Sequence, residues 1–329
     1  MSKKPTRTEV FEYDAVGEAD VLQLRTYELP PPSAREVTVE VITAGISHID
    51  GFLRTGHESS WEEDWPRRSG SEFAGVVVAR GADVTGFSVG SDVIGHLSSG
   101  AHATYVNVPI EALVAKPREV TWETAGGLYL AGATALAILD DLRIGPGDTV
   151  VISAAAGGVG SIEAQVAKHL GATVIGTCGE RNFDYLRQLG IKPVKYGEGI
   201  DERIRRAAGG RPVTAMIDNF GKDGSRLLAE LSIPEGRYRS SADRRDVELD
   251  LLKNDPESVA RGTDLLRRVV ELARKRAFTL LISGFYPLAE IAQAYDDLGR
   301  LHARGKIILA THPVTTSRTP NARDIHEAG

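Results

Sequence analysis

Val150-Val-Ile-Ser-Ala-Ala-Ala-Gly-Gly-Val-Gly-Ser-Ile-Glu-Ala-Gln-Val-Ala-Lys-His-Leu170 sets an apolar β-branched run, a glycine turn and an amphipathic helix in unbroken succession. A strand that feeds such a turn directly into a helix is the setting in which a dinucleotide's pyrophosphate is held, because the helix start offers unpaired backbone N–H groups to an anion. Ala155 stands at the first of the three small-residue positions. Gly157 and Gly158 let the backbone approach a phosphate, Val159 carries the turn onward, and Gly160 lets the helix pack against the sheet. A tight turn that exists for backbone reasons alone is the plainer alternative.

Working outward, Thr173-Val-Ile-Gly176 reads as a second strand, Phe183 to Leu189 as a helix and Ala215-Met-Ile-Asp218 as a further strand. Strand and helix alternating at this spacing predict parallel βαβ units in a doubly wound sheet. At the tip of the second strand an NAD site carries an Asp or Glu for the ribose 2′-hydroxyl. Here the tip reads Gly176-Thr177-Cys178-Gly179, and Arg181 follows. A guanidinium suits a 2′-phosphate by charge and fork geometry, so NADPH is expected over NADH. Glu180, in the same loop, is expected either to pair with Arg181 or to reach a ribose hydroxyl. Asn219 and Phe220 follow the Asp218 strand tip, at the carboxyl edge where such sheets meet ligand.

The grammar differs upstream. Glu36-Val-Thr-Val-Glu-Val-Ile42 alternates with period two, Glu72 to Ala79 is apolar and β-branched, and Gly81, Gly86, Gly90 and Gly95 punctuate the stretch, as in an antiparallel barrel. Residues 51–71 read as a loop or helix insertion with Trp61 and Trp65. Thr121 and Thr124 open a helix, Leu128 to Leu142 continue in Ala/Leu-rich style, Pro287 to Leu298 is helical, and Gly305 to Ala310 closes as a strand. The chain of 329 residues exceeds the usual single-domain size, so two domains are expected. Thirty-nine Lys+Arg against 45 Asp+Glu give a net charge of −6, which offers no general attraction to nucleic acid or an anionic membrane. One cysteine, Cys178, makes neither an intrachain disulfide nor a multi-thiolate zinc site, and with no apolar leader a cytoplasmic protein is expected.

Taken together, Ala44-Gly-Ile-Ser-His-Ile-Asp50 with Arg54-Thr-Gly56, Ser69-Gly-Ser-Glu-Phe-Ala-Gly75, Gly86 to Gly95, Leu130-Ala-Gly-Ala-Thr-Ala135, the glycine turn and Gly305-Lys-Ile-Ile-Leu309 resemble the medium-chain dehydrogenase/reductase superfamily, in its zinc-free quinone oxidoreductase branch. The resemblance spans residues 8–312. It implies an α/β protein: a GroES-like β-barrel catalytic domain (1–120 and 284–329) around a Rossmann NADP-binding domain (121–283), with the active site in the cleft and a homodimeric assembly. Zinc-dependent alcohol dehydrogenases of the superfamily carry Cys where Ser47 stands and His where Ser71 stands, so no metal is expected, since a hydroxyl is a poor zinc ligand.

The resemblance brings Ser47, His48, Asp50 and Phe52 near the nicotinamide. Phe52 replaces the Tyr of several relatives and lacks its phenolic donor. His48, expected to be the only His beside this loop, is a candidate proton donor or a structural His, and Asp50 a candidate acid or a loop-orienting group. His102 and Tyr105 match a core strand and stay outside the expected site. On the cofactor side Thr134 matches a position facing the nicotinamide ribose or amide, and Tyr196 one stacking near the 2′-phosphate. The expected activity is hydride transfer from NADPH to a quinone or to the C=C of an α,β-unsaturated carbonyl small molecule. The alternatives are a non-catalytic NADPH-binding protein with a structural or RNA-binding role, and a specialised biosynthetic enzyme using the same cleft.

Overall fold

The computed structural model describes residues 5–57, 65–222, 224–299, 304–312 and 317–318. Trp61 and most of the tail after Thr311, which the sequence marks as polar, lie outside the described residues. Two compact units emerge: one takes the residues up to Leu130, Leu251–Arg274 and those from Ile282 onward, the other Ala131–Asp250 and Lys275–Leu281. Against the expected boundaries, residues 121–130, 251–274 and 282–283 thus fall with the first unit. Hydrogen bonds explain this. Tyr129 donates to the Leu251 carbonyl (2.8 Å), and Thr263, on the helix Pro256–Arg274, donates to the Glu111 carbonyl (2.7 Å) while lying 2.8 Å from His96 Nε2.

The first unit is built on an eight-stranded sheet whose organising element is the eleven-residue strand Glu36–Ile46. Its first half pairs with Tyr105–Pro109 and its second half with Lys306–Ala310, while Glu72–Arg80 runs antiparallel along its other edge. Register shifts at Thr38/Val39 and Val41/Thr43 mark where the strand bends between these partners. The core between is Val37, Val39, Val41, Phe73, Val77, Val93 and Val108, all 0% exposed, the inward face that the period-two pattern anticipates.

The second unit carries a five-stranded parallel sheet in the order Lys192–Lys195, Thr173–Cys178, Thr149–Ile152, Ala215–Ile217, Tyr238–Arg239. This is the doubly wound 3-2-1-4-5 order, and its switch point lies between Thr149–Ile152 and Ala215–Ile217. The strand Thr149–Ile152 is buried throughout, as its continuous apolar run requires. No described helix is long and apolar enough to cross a membrane.

Candidate active site

In the second unit the glycine turn has the shape its sequence demands. Ala154 takes a left-handed φ of 48°, Gly157 N–H donates to the Ala154 carbonyl (2.9 Å), and the helix Gly158–His169 starts at once. A Cβ at Gly160 would stand 2.5 Å from the Ala154 carbonyl oxygen, so only glycine closes this turn. Ala155 is buried and anchored through its N–H to the Thr177 carbonyl (3.1 Å), whereas Gly157, Gly158 and Val159 remain half-buried. Parallel pairing sets Cys178 opposite Lys195, which brings the Gly179–Arg181 loop alongside Lys195 and Tyr196. Tyr196 is 45% exposed, with its hydroxyl 3.7 Å from where a Gly179 Cβ would lie. Glu180 pairs with Lys195 at 3.2 Å, a partner the sequence reading did not weigh, and half-buried Arg181 follows.

At the neighbouring strand end, Asp218 accepts from Ser153 Oγ (2.8 Å) and from the N–H groups of Phe220 (3.2 Å) and Gly221 (2.9 Å), which pins the turn carrying Asn219 and Phe220. Several buried polar atoms of this unit lack a hydrogen-bond partner among the described residues, among them Thr134 Oγ1 on the helix Tyr129–Asp141, Asn219 Oδ1, Glu163 Oε1 and Asn182 Oδ1. Buried polar atoms are normally satisfied, so such loose ends suit a bound polar ligand. An anion-receptive turn, a cationic strand tip and unsatisfied acceptors together fit a phosphorylated dinucleotide.

In the first unit, antiparallel register assembles a second polar site. Ile46 pairs with Ile307 and Ala44 with Phe73, so Ser47 sits opposite Lys306 and Gly45 opposite Glu72. The buried Lys306 ammonium donates to Ser47 Oγ (2.6 Å), the Ile46 carbonyl (2.9 Å) and Glu72 Oε1 (2.7 Å). Glu72 Oε2 accepts the Leu130 N–H (3.0 Å). Both charges are almost fully buried, yet each polar atom is used, the condition under which a buried ion pair is tolerated. A Cβ at Gly45 would lie 2.3 Å from Glu72 Oε1, so the carboxylate reaches the ammonium only across a glycine.

Ser47 caps the helix His48–Arg54, and its N–H donates to Asp50 Oδ2 (2.7 Å). Desolvation pushes the Asp50 carboxyl up to about 6, although the Ser47 N–H and the Lys306 charge oppose it. His48, on the first turn, is exposed, and Phe52 stacks on His57 at 5.1 Å.

The expectation that His48 is the only His beside this loop needs correction. His102, 0% exposed, lies 3.0 Å from the Gly45 carbonyl through Nε2 and 2.9 Å from Ser69 Oγ through Nδ1. A carbonyl only accepts, so Nε2 carries the proton, Nδ1 accepts, and Ser69 Oγ donates to it. Burial lowers this His to about 4 and keeps it neutral. Ser69 Oγ also lies 3.4 Å from the Tyr295 hydroxyl, and Arg54 stacks over the Tyr295 ring at 4.5 Å. Lys306, Glu72, His102 and Tyr295 are therefore residues that sequence reasoning missed. The first two stood within quoted motifs, and strand register alone joins them. Among the described residues no three His, Cys, Asp or Glu side chains are grouped to hold a metal ion.

Comparison with known proteins adds family context. Residues 33–118 match the alcohol dehydrogenase GroES-like domain and residues 158–240 the zinc-binding dehydrogenase domain. The chain is 29% identical over 326 residues to a quinone oxidoreductase of Pseudomonas aeruginosa, covering 91% of this chain and 98% of that one. It is 31% identical over 317 residues to a mycocerosic acid synthase-like polyketide synthase of Mycobacterium tuberculosis, covering 89% of this chain but spanning only 15% of that protein's length. A mycobacterial structure complexed with NADPH superposes with a TM-score of 0.75 at 26% identity, over 92% of this chain and 99% of that one.

Proposed function

We propose that this chain, which belongs to the quinone oxidoreductase-like branch of the medium-chain dehydrogenase/reductase superfamily and is an oxidoreductase, uses NADPH without zinc to reduce a quinone or the C=C of an α,β-unsaturated carbonyl compound. Bound NADPH supplies the hydride. Gly157, Gly158 and the start of the helix Gly158–His169 hold the pyrophosphate, and Arg181 with Lys195 and Tyr196 holds the 2′-phosphate. Thr134 and Asn219 offer their unsatisfied atoms to the nicotinamide half.

The observation that carries the reading is the Lys306–Ser47 contact of 2.6 Å. The ammonium only donates, so Ser47 Oγ accepts from it and keeps its own O–H for donation elsewhere. That hydroxyl, made more acidic by a fixed cation and half-exposed, serves the oxygen on which negative charge grows as hydride is added. It acts from the position where zinc-dependent relatives carry a metal-binding Cys. Asp50, beside it, is a second proton-exchanging group, and exposed His48 an auxiliary one. A small-molecule substrate and a homodimer belong to the same proposal.

The test is NADPH and NADH consumption against a panel of quinones, enals and enoyl thioesters, with elemental analysis of the purified protein. Turnover with NADPH and at least one conjugated acceptor, without stoichiometric zinc, is expected. Failure of every acceptor, or zinc-dependent activity lost on chelation, overturns it.

A further inference from the structure

Glu163 has no part in the turn's phosphate chemistry, yet it is a fully buried carboxylate one helical turn beyond Gly160. Its Oε2 accepts from Asn219 Nδ2 (2.6 Å), and the same Nδ2 donates to the Ser153 carbonyl (3.2 Å). A carbonyl and a carboxylate only accept, so both hold the amide in one orientation and turn Oδ1 away from them. That oxygen is buried with no partner among the described residues, as is Glu163 Oε1. An acceptor fixed in place without a donor costs free energy, which an incoming donor removes. Asn219 itself is only half-buried, and Phe220 next to it is 54% exposed, so this turn lies at the protein surface.

We infer that Glu163 is a positioning residue for the cofactor: it locks the Asn219 amide so that Oδ1 accepts a hydrogen bond from an N–H or O–H group of the bound dinucleotide. The inference rests on the dinucleotide-binding reading above. The lock is expected to hold on both sides of the Glu163 titration. Burial raises the Glu163 carboxyl to about 7, against the pull of Asn219 and the Arg244 charge and with a push from Glu248. Arg244 and Glu248, 3.5 Å apart, are the charged groups facing it from the helix Ser241–Leu251. The strands Thr149–Ile152 and Thr173–Cys178 under its own helix bring no charged side chain, and the segment 275–281 meets that helix through Thr279 at Gln165. When Glu163 takes up a proton, Oε1, which has no partner among the described residues, carries it, and Oε2 still accepts from Asn219 Nδ2. Affinity therefore does not fall through this group as pH drops through about 7.

Direct NADPH binding, followed by nucleotide fluorescence from pH 6 to 8.5 on the full chain, tests this with wild type, Glu163→Ala, Asn219→Ala, the double variant and Glu163→Gln. Each alanine variant should weaken NADPH about ten-fold, the size of one hydrogen bond, and the double variant no further, because both remove the same contact. Glu163→Gln still accepts through its carbonyl, so it should bind within about two-fold of wild type from pH 6 to 8.5. The 2′-phosphate titrates in both proteins and cancels in that comparison. Additive losses in the double variant, unchanged binding in Glu163→Ala, or a loss in Glu163→Gln as large as in Glu163→Ala would overturn the inference alone. A wild-type protein that binds no NADPH would overturn the cofactor reading and this inference with it. Should Glu163→Ala not fold, the Gln comparison decides.

Discussion

At the scale of single residues, the cofactor and proton sites make separate demands. Arg181 is expected to hold the 2′-phosphate, so Arg181→Ala should weaken NADPH by about 1.5–3 kcal/mol, the range for a hydrogen bond to a charged group, and leave NADH nearly unchanged. Lys195 already shares its charge with Glu180 at 3.2 Å, so Lys195→Ala should cost less; equal losses for NADPH and NADH in Arg181→Ala would assign the phosphate elsewhere. On the catalytic side, Ser47→Ala removes the hydroxyl poised by Lys306 and should lower kcat by about 10²-fold, the low end for a lost oxyanion donor. A rate step near pH 6 should survive His48→Ala and vanish in Asp50→Asn, because the desolvated Asp50 carboxyl titrates there and Asn still accepts the Ser47 N–H. A step lost only in His48→Ala would return the proton to the imidazole. Ser47 and Asp50 were legible in sequence because one loop carries both. Lys306 and Glu72 were not assigned to them, because 259 and 25 residues separate these from Ser47 and only sheet register brings them together.

At the scale of elements, what was legible follows from periodicity. Strands Glu36–Ile46 and Glu72–Arg80 and the strand-turn-helix around Gly157 announce themselves through period-two or glycine patterns, with ends displaced by one to four residues. The residues 51–71 read as an insertion instead begin inside the helix His48–Arg54, whose start is fixed by the Ser47–Asp50 contact. The helix Pro256–Arg274 illustrates the limit. Its attachment to the first unit depends on Thr263 meeting Glu111 and His96, which no local pattern encodes. Gly45 shows how much one strand position can decide. Gly45→Ala would force a Cβ to within 2.3 Å of the Glu72 carboxylate and 2.9 Å of the Gly126 carbonyl. The backbone atom cannot swing aside, so the substitution should destabilise by about 1–3 kcal/mol, as overpacked sites do, and displace Glu72 from Lys306. Chemical denaturation that finds Gly45→Ala as stable as wild type would show that the sheet absorbs the methyl group.

For the whole molecule, four buried groups set opposing pH dependences. Burial lowers His96 and His102 to about 4, below the 6.5 of an unfolded chain, so between those values unfolding takes up protons and stability climbs with pH. Asp50 and Glu163 are raised to about 6 and about 7, above the ordinary carboxylate range near 4, so there the folded state holds protons that the unfolded chain has released, and stability falls with rising pH. From roughly pH 4 to 6 the two pairs offset each other, and beyond 6.5 Glu163 alone still titrates. Replacing Glu163 with Gln removes one falling contribution while keeping the acceptor for Asn219. The melting temperature of Glu163→Gln relative to wild type should therefore rise between pH 5 and pH 7.5, by at least about 2 °C at about 2–4 °C per kcal/mol for chains of this order, and level off above that. A difference that stays constant across the range would mean that Glu163 releases its proton in the folded protein as readily as in the unfolded one. The carboxylate would then be solvated or fully compensated by Arg244.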